Sequence, residues 1–362
     1  SASGENIAKA DTGGSSAGLI AVNYIGSDAT VNGGILADFD GVVADAASVA
    51  VEAKGRNAAD ADLTVAGFGG LSLAPDGGAR AGATVAADAD VVASVGSTAD
   101  IESGTLLVTA AADNDANASS DATTAGLIAI GKSQPEASVA GATQALLDGD
   151  VTAGSRIELN AAATNHVKAS TALTTAGVGA GSKATPEATI TADAVTQAQI
   201  GQDADIDSPD ADIVVHAAAN NEARATAESV AGGLVAVTNS NPAAVDSGST
   251  QAALLGDVRV SNGADNGAGA KSITVAAEGI DATVSQIRSV SGGGIKISSA
   301  TSNATTASTT AATIGSDGAV IVSTGDISVK ADGKTDADSS TRSTGGGGVS
   351  ISDYSANATA TP

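Results

Sequence analysis

The sequence has no cysteine, methionine or tryptophan, and its only aromatic residues are Tyr24, Tyr354, Phe39 and Phe68, in a chain of 362 residues. Without cysteine there are no disulfides, no thiolate-bound zinc and no thiol catalysis. The compartment stays open on this ground, because long repetitive exported proteins also do without cysteine. The large side chains that usually fill a globular core are scarce. No run of 18 apolar residues is present, and Ser1 does not open a basic-then-apolar targeting segment. Basic residues are few as well: 16 against 41 acidic ones, a net charge of −25. Such a surface repels nucleic acid and anionic lipid, which argues against a nucleic-acid partner and against direct membrane insertion. Mutual repulsion also keeps a strand-rich chain soluble and hinders sideways aggregation.

What remains is small and aliphatic. Apolar residues make up 42% of the chain, drawn almost wholly from Ala, Val, Ile and Leu, alongside 45 glycines. Small residues fill a narrow space, such as the inside of a thin solenoid, better than a broad globule. The abundance of Gly, Ser, Thr and Asp resembles a disordered composition. The positive mean hydropathy and a regular Val/Ile spacing argue the other way.

That spacing organises the chain. An apolar triplet at i, i+2 and i+4 occurs six times: Val49/Val51/Ala53, Leu106/Val108/Ala110, Ile157/Leu159/Ala161, Ile213/Val215/Ala217, Ile273/Val275/Ala277 and Ile327/Val329/Ala331. A period of two places such a triplet on one face of a half-buried strand. A second marker recurs in phase, small residues followed by an apolar pair at i and i+2. Its copies are Ile20/Val22, Leu71/Leu73, Ile128/Ile130, Val178/Ala180, Val235/Val237, Ile295/Ile297 and Val349/Ile351. A third alternating stretch begins at Asp28-Ala-Thr-Val31, Glu136-Ala-Ser-Val139 and Glu187-Ala-Thr-Ile190. It runs toward apolar-Gly stops such as Ile200-Gly201, Leu255-Gly256 and Ile314-Gly315, with Pro75, Pro135, Pro186 and Pro242 expected in the loop before it. Extra residues fall in polar insertions such as Asn262–Ala270. No segment sustains a 3.6-residue period.

Recurrence at 50–60 residues predicts an all-β, right-handed parallel β-solenoid (β-helix) of about six 50–60-residue repeats, open-ended. Each repeat is either two coils or one wide coil. The expected division is a single array over 1–362: 1–16 as the end of a preceding repeat, 17–344 as six repeats, and 345–362 as the start of a further one. Neither terminus carries an atypical capping repeat, which suggests a window on a longer chain, or a subunit whose open ends stack on copies of itself.

With the repeat laid out, Gly-Asp-Ile-Ser-Val-Lys-Ala at 325–331, Ala-Gly-Leu-Ile-Ala-Val at 17–22 and Ala-Ala-Thr-Ile-Gly at 311–315 resemble the repeats of bacterial filamentous adhesins. The likeness is to the filamentous haemagglutinin-like and leukotoxin-type filamentous adhesin families, at the level of pattern. It implies an exported solenoid stalk or fibre at the cell surface, used for attachment or cell–cell contact, with no catalytic residue.

The side chains agree with a non-catalytic expectation. His216 sits between Val215 and Ala217, in a slot that holds Glu52, Thr109, Asn160, Ala276 and Lys330 in the other copies, as a solvated position would. His166 lies in the segment after a triplet. No Gly-x-Ser-x-Gly elbow or placed base accompanies the serines. A β-helix polysaccharide lyase or hydrolase needs acids clustered across coils, with sugar-stacking aromatics that this chain hardly has. The glycine runs 292–294 and 345–348 lack the Lys-Ser/Thr of a phosphate loop and point to close backbone packing.

The sharpest local feature is Asp203, Asp205 and Asp207, which alternation places on one side of an extended segment, where hard oxygen ligands suit calcium. The competing account is an acidic turn that keeps the array soluble. The triplets at Asn117, Asn303 and Asn357 match the glycosylation pattern at a frequency chance would give. The leading expectation is therefore a structural extracellular fibre or stalk segment of a giant surface adhesin. Its partners are neighbouring repeats or copies of itself, and a cell-surface or glycan receptor. The rival is a solenoid module with a glycan- or ice-binding face, for which Thr305-Thr306 and Thr309-Thr310 are the one hint.

Overall fold

The alternating segments do become strands. A computed structural model describes residues 1–74, 78–259, 269–316 and 319–361, and among them there is no helix. Seven long strands carry most of the chain: Ala2–Val22, Val49–Leu73, Asp100–Val139, Asp150–Ala184, Ser208–Gly232, Ala270–Gly292 and Ile327–Gly346. Each pairs in parallel with its successor, and six short strands from Ile35–Phe39 to Thr309–Ile314 form a second parallel sheet. The architecture is consistent with a parallel β-solenoid.

Register settles how wide a coil is. Val49 pairs with Leu106, Leu106 with Ile157, Ile157 with Ile213, Ile213 with Ile273 and Ile273 with Ile327, so each triplet lies beside the next. One wide coil thus spans a whole repeat. The other short pairings keep this register, with shifts near Ala153/Arg156, Val43/Ala46 and Ser208/Asp212 that absorb differences in repeat length. The insertion at 262–270 lies almost wholly outside the described residues, as does Pro75. Pro135 is not in a loop: it sits inside Asp100–Val139, paired with Ala81. Gly315, at φ 90°, turns the chain out of Thr309–Ile314, as the apolar-Gly stop predicts.

Across a coil the interior changes character. At one end the triplets pack against the short-strand sheet, and Leu106, Ile157, Leu159, Ile213, Ile273 and Leu254 are fully enclosed. Burying one such side chain contributes roughly 1.5–3 kcal/mol. Next comes a column of amides that separates this cluster from a second one of Ala, Leu, Val and Ile190. Asn6 Nδ2 donates to Asn57 Oδ1 (2.9 Å), Asn57 to Asn114 (2.9 Å), Asn114 to Asn165 (2.8 Å), Asn165 to Asn221 (2.8 Å) and Asn221 to Asp281 (2.7 Å). The remaining N–H groups of Asn6 and Asn57 reach the carbonyls of Gly33 and Ala89 (both 3.0 Å), tying the strand to the corner beside it. A buried amide needs its bonds made, and stacked coils supply them.

The column ends in acid. Asp281 Oδ1 accepts from Asn221, and its Oδ2 from the Ser308 hydroxyl (2.6 Å). Beside it lies Asp246, wholly buried, whose Oδ1 accepts the Gly248 N–H (3.0 Å) while its Oδ2 meets no donor. Burial, with the Asp281 carboxyl close by, pushes the Asp246 carboxyl up to about 7. A buried carboxyl that lacks a donor and sits beside a second one favours its protonated form.

Candidate functional site

At the far end of each coil the chain folds back on itself, and glycine makes the bend. Gly69, Gly126, Gly177, Gly233 and Gly293 stack in one column, and a Cβ added at any of them would overlap the carbonyl of the glycine one coil earlier. This close backbone approach explains why small residues precede every apolar pair. The two arms of the fold-back then lie so close that Ser291 and Ser298 hydroxyls meet at 3.1 Å, as do those of Ser229 and Ser240. Ala, Ser, Thr and Gly line most of the space between them, and Leu173, Ile287 and Lys296 are the larger side chains buried there. The Thr171 hydroxyl donates to the Ser120 carbonyl (3.2 Å), and that of Ser302 to the Ser285 carbonyl (2.8 Å).

With small residues inside, the apolar pair points out. Ile128 is 50% exposed and Ile130 45%, and Ile20, Val22, Val235, Val237, Ile295, Ile297, Val349 and Ile351 share that face. The sequence copy Val178/Ala180 is one residue out of register: Gly179 pairs with Ile128 and Val235, and Gly181 with Ile130 and Val237, while Ala180 faces inward. The outer surface therefore carries two apolar columns, flanked by a third from Leu19, Leu127, Val178 and Leu234. They are interrupted by a dent of about 680 Å³ over Gly179 and Gly181. No charged residue occurs in these columns. Contiguous exposed apolar surface on this scale is uncommon on monomeric proteins.

A second outer feature is a column of hydroxyls. Thr30 pairs with Thr84, Thr84 with Ser138, Ser138 with Thr189, Thr189 with Val245, Val245 with Thr305 and Thr305 with Thr359. The neighbouring column runs Asp28, Gly82, Glu136, Glu187, Ala243, Asn303, Asn357, so the hydroxyls stand alone. Thr305 and Thr306 do not share a face, since Thr306 is buried. A two-column threonine array is not formed there.

A third feature brings charges together on the long strand. Asp115, His166 and Glu222 stack in one column and Asn117, Lys168 and Arg224 in the next, around a hollow of about 390 Å³. His166 Nδ1 lies 3.5 Å from Glu222 Oε2, and Asn117 Nδ2 donates to Asp60 Oδ1 (3.0 Å). Burial pushes the Asp115 carboxyl up, opposed by the nearby His166. Acid, imidazole and base are adjacent, but none of the chain's four aromatics lines the hollow.

The remaining sequence candidates are dispersed. His216 stands in the column Glu52, Thr109, Asn160, Ala276, Lys330 as its slot implies, with Nδ1 3.2 Å from Asn160 Oδ1. Asp205 pairs with Arg259 (3.2 Å), which also meets Asp257 at 3.2 Å. Asp203 is exposed and Asp207 half-buried, and among the described residues no group of three or more His, Asp or Glu side chains converges as metal ligands would. Asn357 Nδ2 donates to Asn303 Oδ1 (3.0 Å), a ladder on the outer face.

Two features escaped the sequence reading: the outward set of the apolar pair and the buried amide column. The second had a signal, because Asn57, Asn114, Asn165 and Asn221 recur at the triplet's own intervals and keep its inward parity. No family model, curated protein or solved structure matches the chain.

Proposed function

We propose that the chain is a structural, non-catalytic segment of an extracellular fibre or stalk, part of a giant surface adhesin, built as a right-handed solenoid of about six repeats. The observation that supports this best is the coil-to-coil register: the same inward triplet stacks on itself from Val49 to Ile327, with outer slots that vary freely. In such a chain the coils hold only their neighbours, each repeat lengthens the stack by one strand spacing, and the work is mechanical. The adhesin assignment rests on the resemblance of residues 17–22, 311–315 and 325–331, and carries with it the cell-surface location and a receptor. End-to-end stacking on copies of itself belongs to the same reading. The hollow at His166 holds Asp115 and Glu222 but has no aromatic platform for a sugar ring, and the non-catalytic reading rests on that.

The second reading, a binding module with a glycan or ice face, draws on the hydroxyl column from Thr30 to Thr359. Negative-stain electron microscopy of native material separates fibre from globule. Rods or filaments support the proposal, and compact particles alone would refute it. Freezing-hysteresis measurements and a glycan array then test the second reading directly.

A further inference from the structure

Glycine serves two different ends in this chain. In the corner column it is required, because the preceding coil's carbonyl occupies the space a Cβ would need. Gly179 and Gly181 carry no such requirement. A Cβ at Gly179 would have its nearest neighbour, Ile128 Cγ1, at 3.9 Å, and one at Gly181 would meet Ile130 Cγ1 at 3.6 Å, both ordinary contacts. Neither has a positive φ. Both lie in the interior of a strand, where glycine costs folding free energy and often marks close approach of another backbone or ligand. The equivalent positions in the adjoining coils hold Ile128, Ile130, Val235 and Val237. The fold has room for side chains here and omits them.

The shape left behind is complementary to its own neighbour. The dent lies over Gly179 and Gly181, at i and i+2, and runs on to Lys132, Lys183 and Asn239 at one end; the ridge Ile128/Ile130 has the same spacing one coil away and forms one wall. A two-fold axis parallel to the strands, passing between these coils, sets the ridge of one copy over the dent of another and satisfies both contacts at once. That is the signature of an isologous interface. Charge points to the apolar columns as the contact and not to the register, since the same axis brings Lys132 of one copy toward Lys183 of the other at the end of the dent. Two chains of net charge −25 repel over most of their surfaces. The apolar columns hold no charge across seven strands, about 29 Å at roughly 4.8 Å per strand. Only a partner with the same coil rise keeps every column opposed.

We infer that this face pairs laterally with a second copy of the chain, with Ile128 and Ile130 of each copy seated over Gly179 and Gly181 of the other. The inference stands apart from the fibre reading, because rods can form without lateral pairing and pairs can form without an adhesin.

The test is the solution mass of the full chain by light scattering and sedimentation over a concentration series. The wild type is expected at twice 34.0 kDa. Ile128→Ser with Ile130→Ser removes the ridge from exposed positions, and it weakens the dimer about tenfold or more. Gly179→Ala with Gly181→Ala fills the dent with atoms the fold accommodates, and it weakens the dimer as well. The second result discriminates, because a merely sticky face would associate more strongly when made more apolar. Circular dichroism confirms that each variant keeps its strands. A wild type that stays monomeric at high concentration overturns the inference. A dimer indifferent to both pairs of substitutions also overturns it, as does a monomer that instead takes up an alkyl-chain dye in the dent.

Discussion

The two ends of a coil follow opposite rules. At the triplet end, large aliphatic residues face in and variable polar ones face out; at the fold-back end, mostly hydroxyls and alanines face in and columns of Ile, Leu and Val face out. Both ends obey the same steric fact. The triplet end is held open by a second sheet, so a large side chain fills the gap. The fold-back end is closed by glycines to the distance at which Ser291 touches Ser298, so few large side chains find room inside, Leu173 and Ile287 among them, and most stand outside. Binary pattern alone does not say which face of a strand is the core; the space available decides.

The comparison can be broken most forcibly at the triplet. Ile213→Ala removes a fully buried side chain from a packed column and should cost about 2–5 kcal/mol, read as a lower urea midpoint. A cost comparable to that of a surface change would contradict the enclosed core.

The acid pair beside the amide column gives the next effect. Asp246 is held up at about 7 by burial against an ordinary value of 3.8, so the folded state keeps a proton that the unfolded chain releases. Its contribution is most favourable below about pH 4. It declines as pH rises and is fully lost above about 7, by up to about 4 kcal/mol. Thermal melts should therefore fall between pH 4.5 and 7.5, and Asp246→Asn should flatten that slope. An unchanged slope in the variant would place the titration elsewhere.

Glycine substitutions sharpen the contrast within one end. Gly126→Ala drives a methyl into the Gly69 carbonyl and should cost about 1–3 kcal/mol. Gly179→Ala should leave the stability of the monomer within about 0.5 kcal/mol. The smallest effect belongs to the outward column: Ile295→Ser should change the monomer's unfolding midpoint within the same margin. Equal costs at Ile295 and Ile213 would mean that both faces are buried.

Much of the fold was legible because the inward triplet is uniform and its intervals match the pairing register. The site was less so. Val178/Ala180 shares the apolar type of Ile128/Ile130 but not its outward parity; the true partners, Gly179 and Gly181, carry no apolar signal. The amide column hid for the opposite reason. Asparagine is expected outside, yet Asn57 lies four residues after Ala53 and keeps its inward parity. The Asp246–Asp281 pair was beyond sequence reading, since it joins non-equivalent positions of adjacent coils that only the folded cross-section brings together.

The amide column also has a direction. Every amide donates the same way, from Asn6 toward Asp281, so the stack is polarised and its last acceptor is an acid rather than another amide. Opposite Asp281 in the following coil stands Thr335. Duplicating a coil that carries asparagine would lengthen the molecule and leave each bond in place. Duplicating the coil of Asp281 would set two carboxylates face to face in the interior. The column thus works as a grammar for growth: it permits copying on one side of residue 281 and penalises copying of that coil itself.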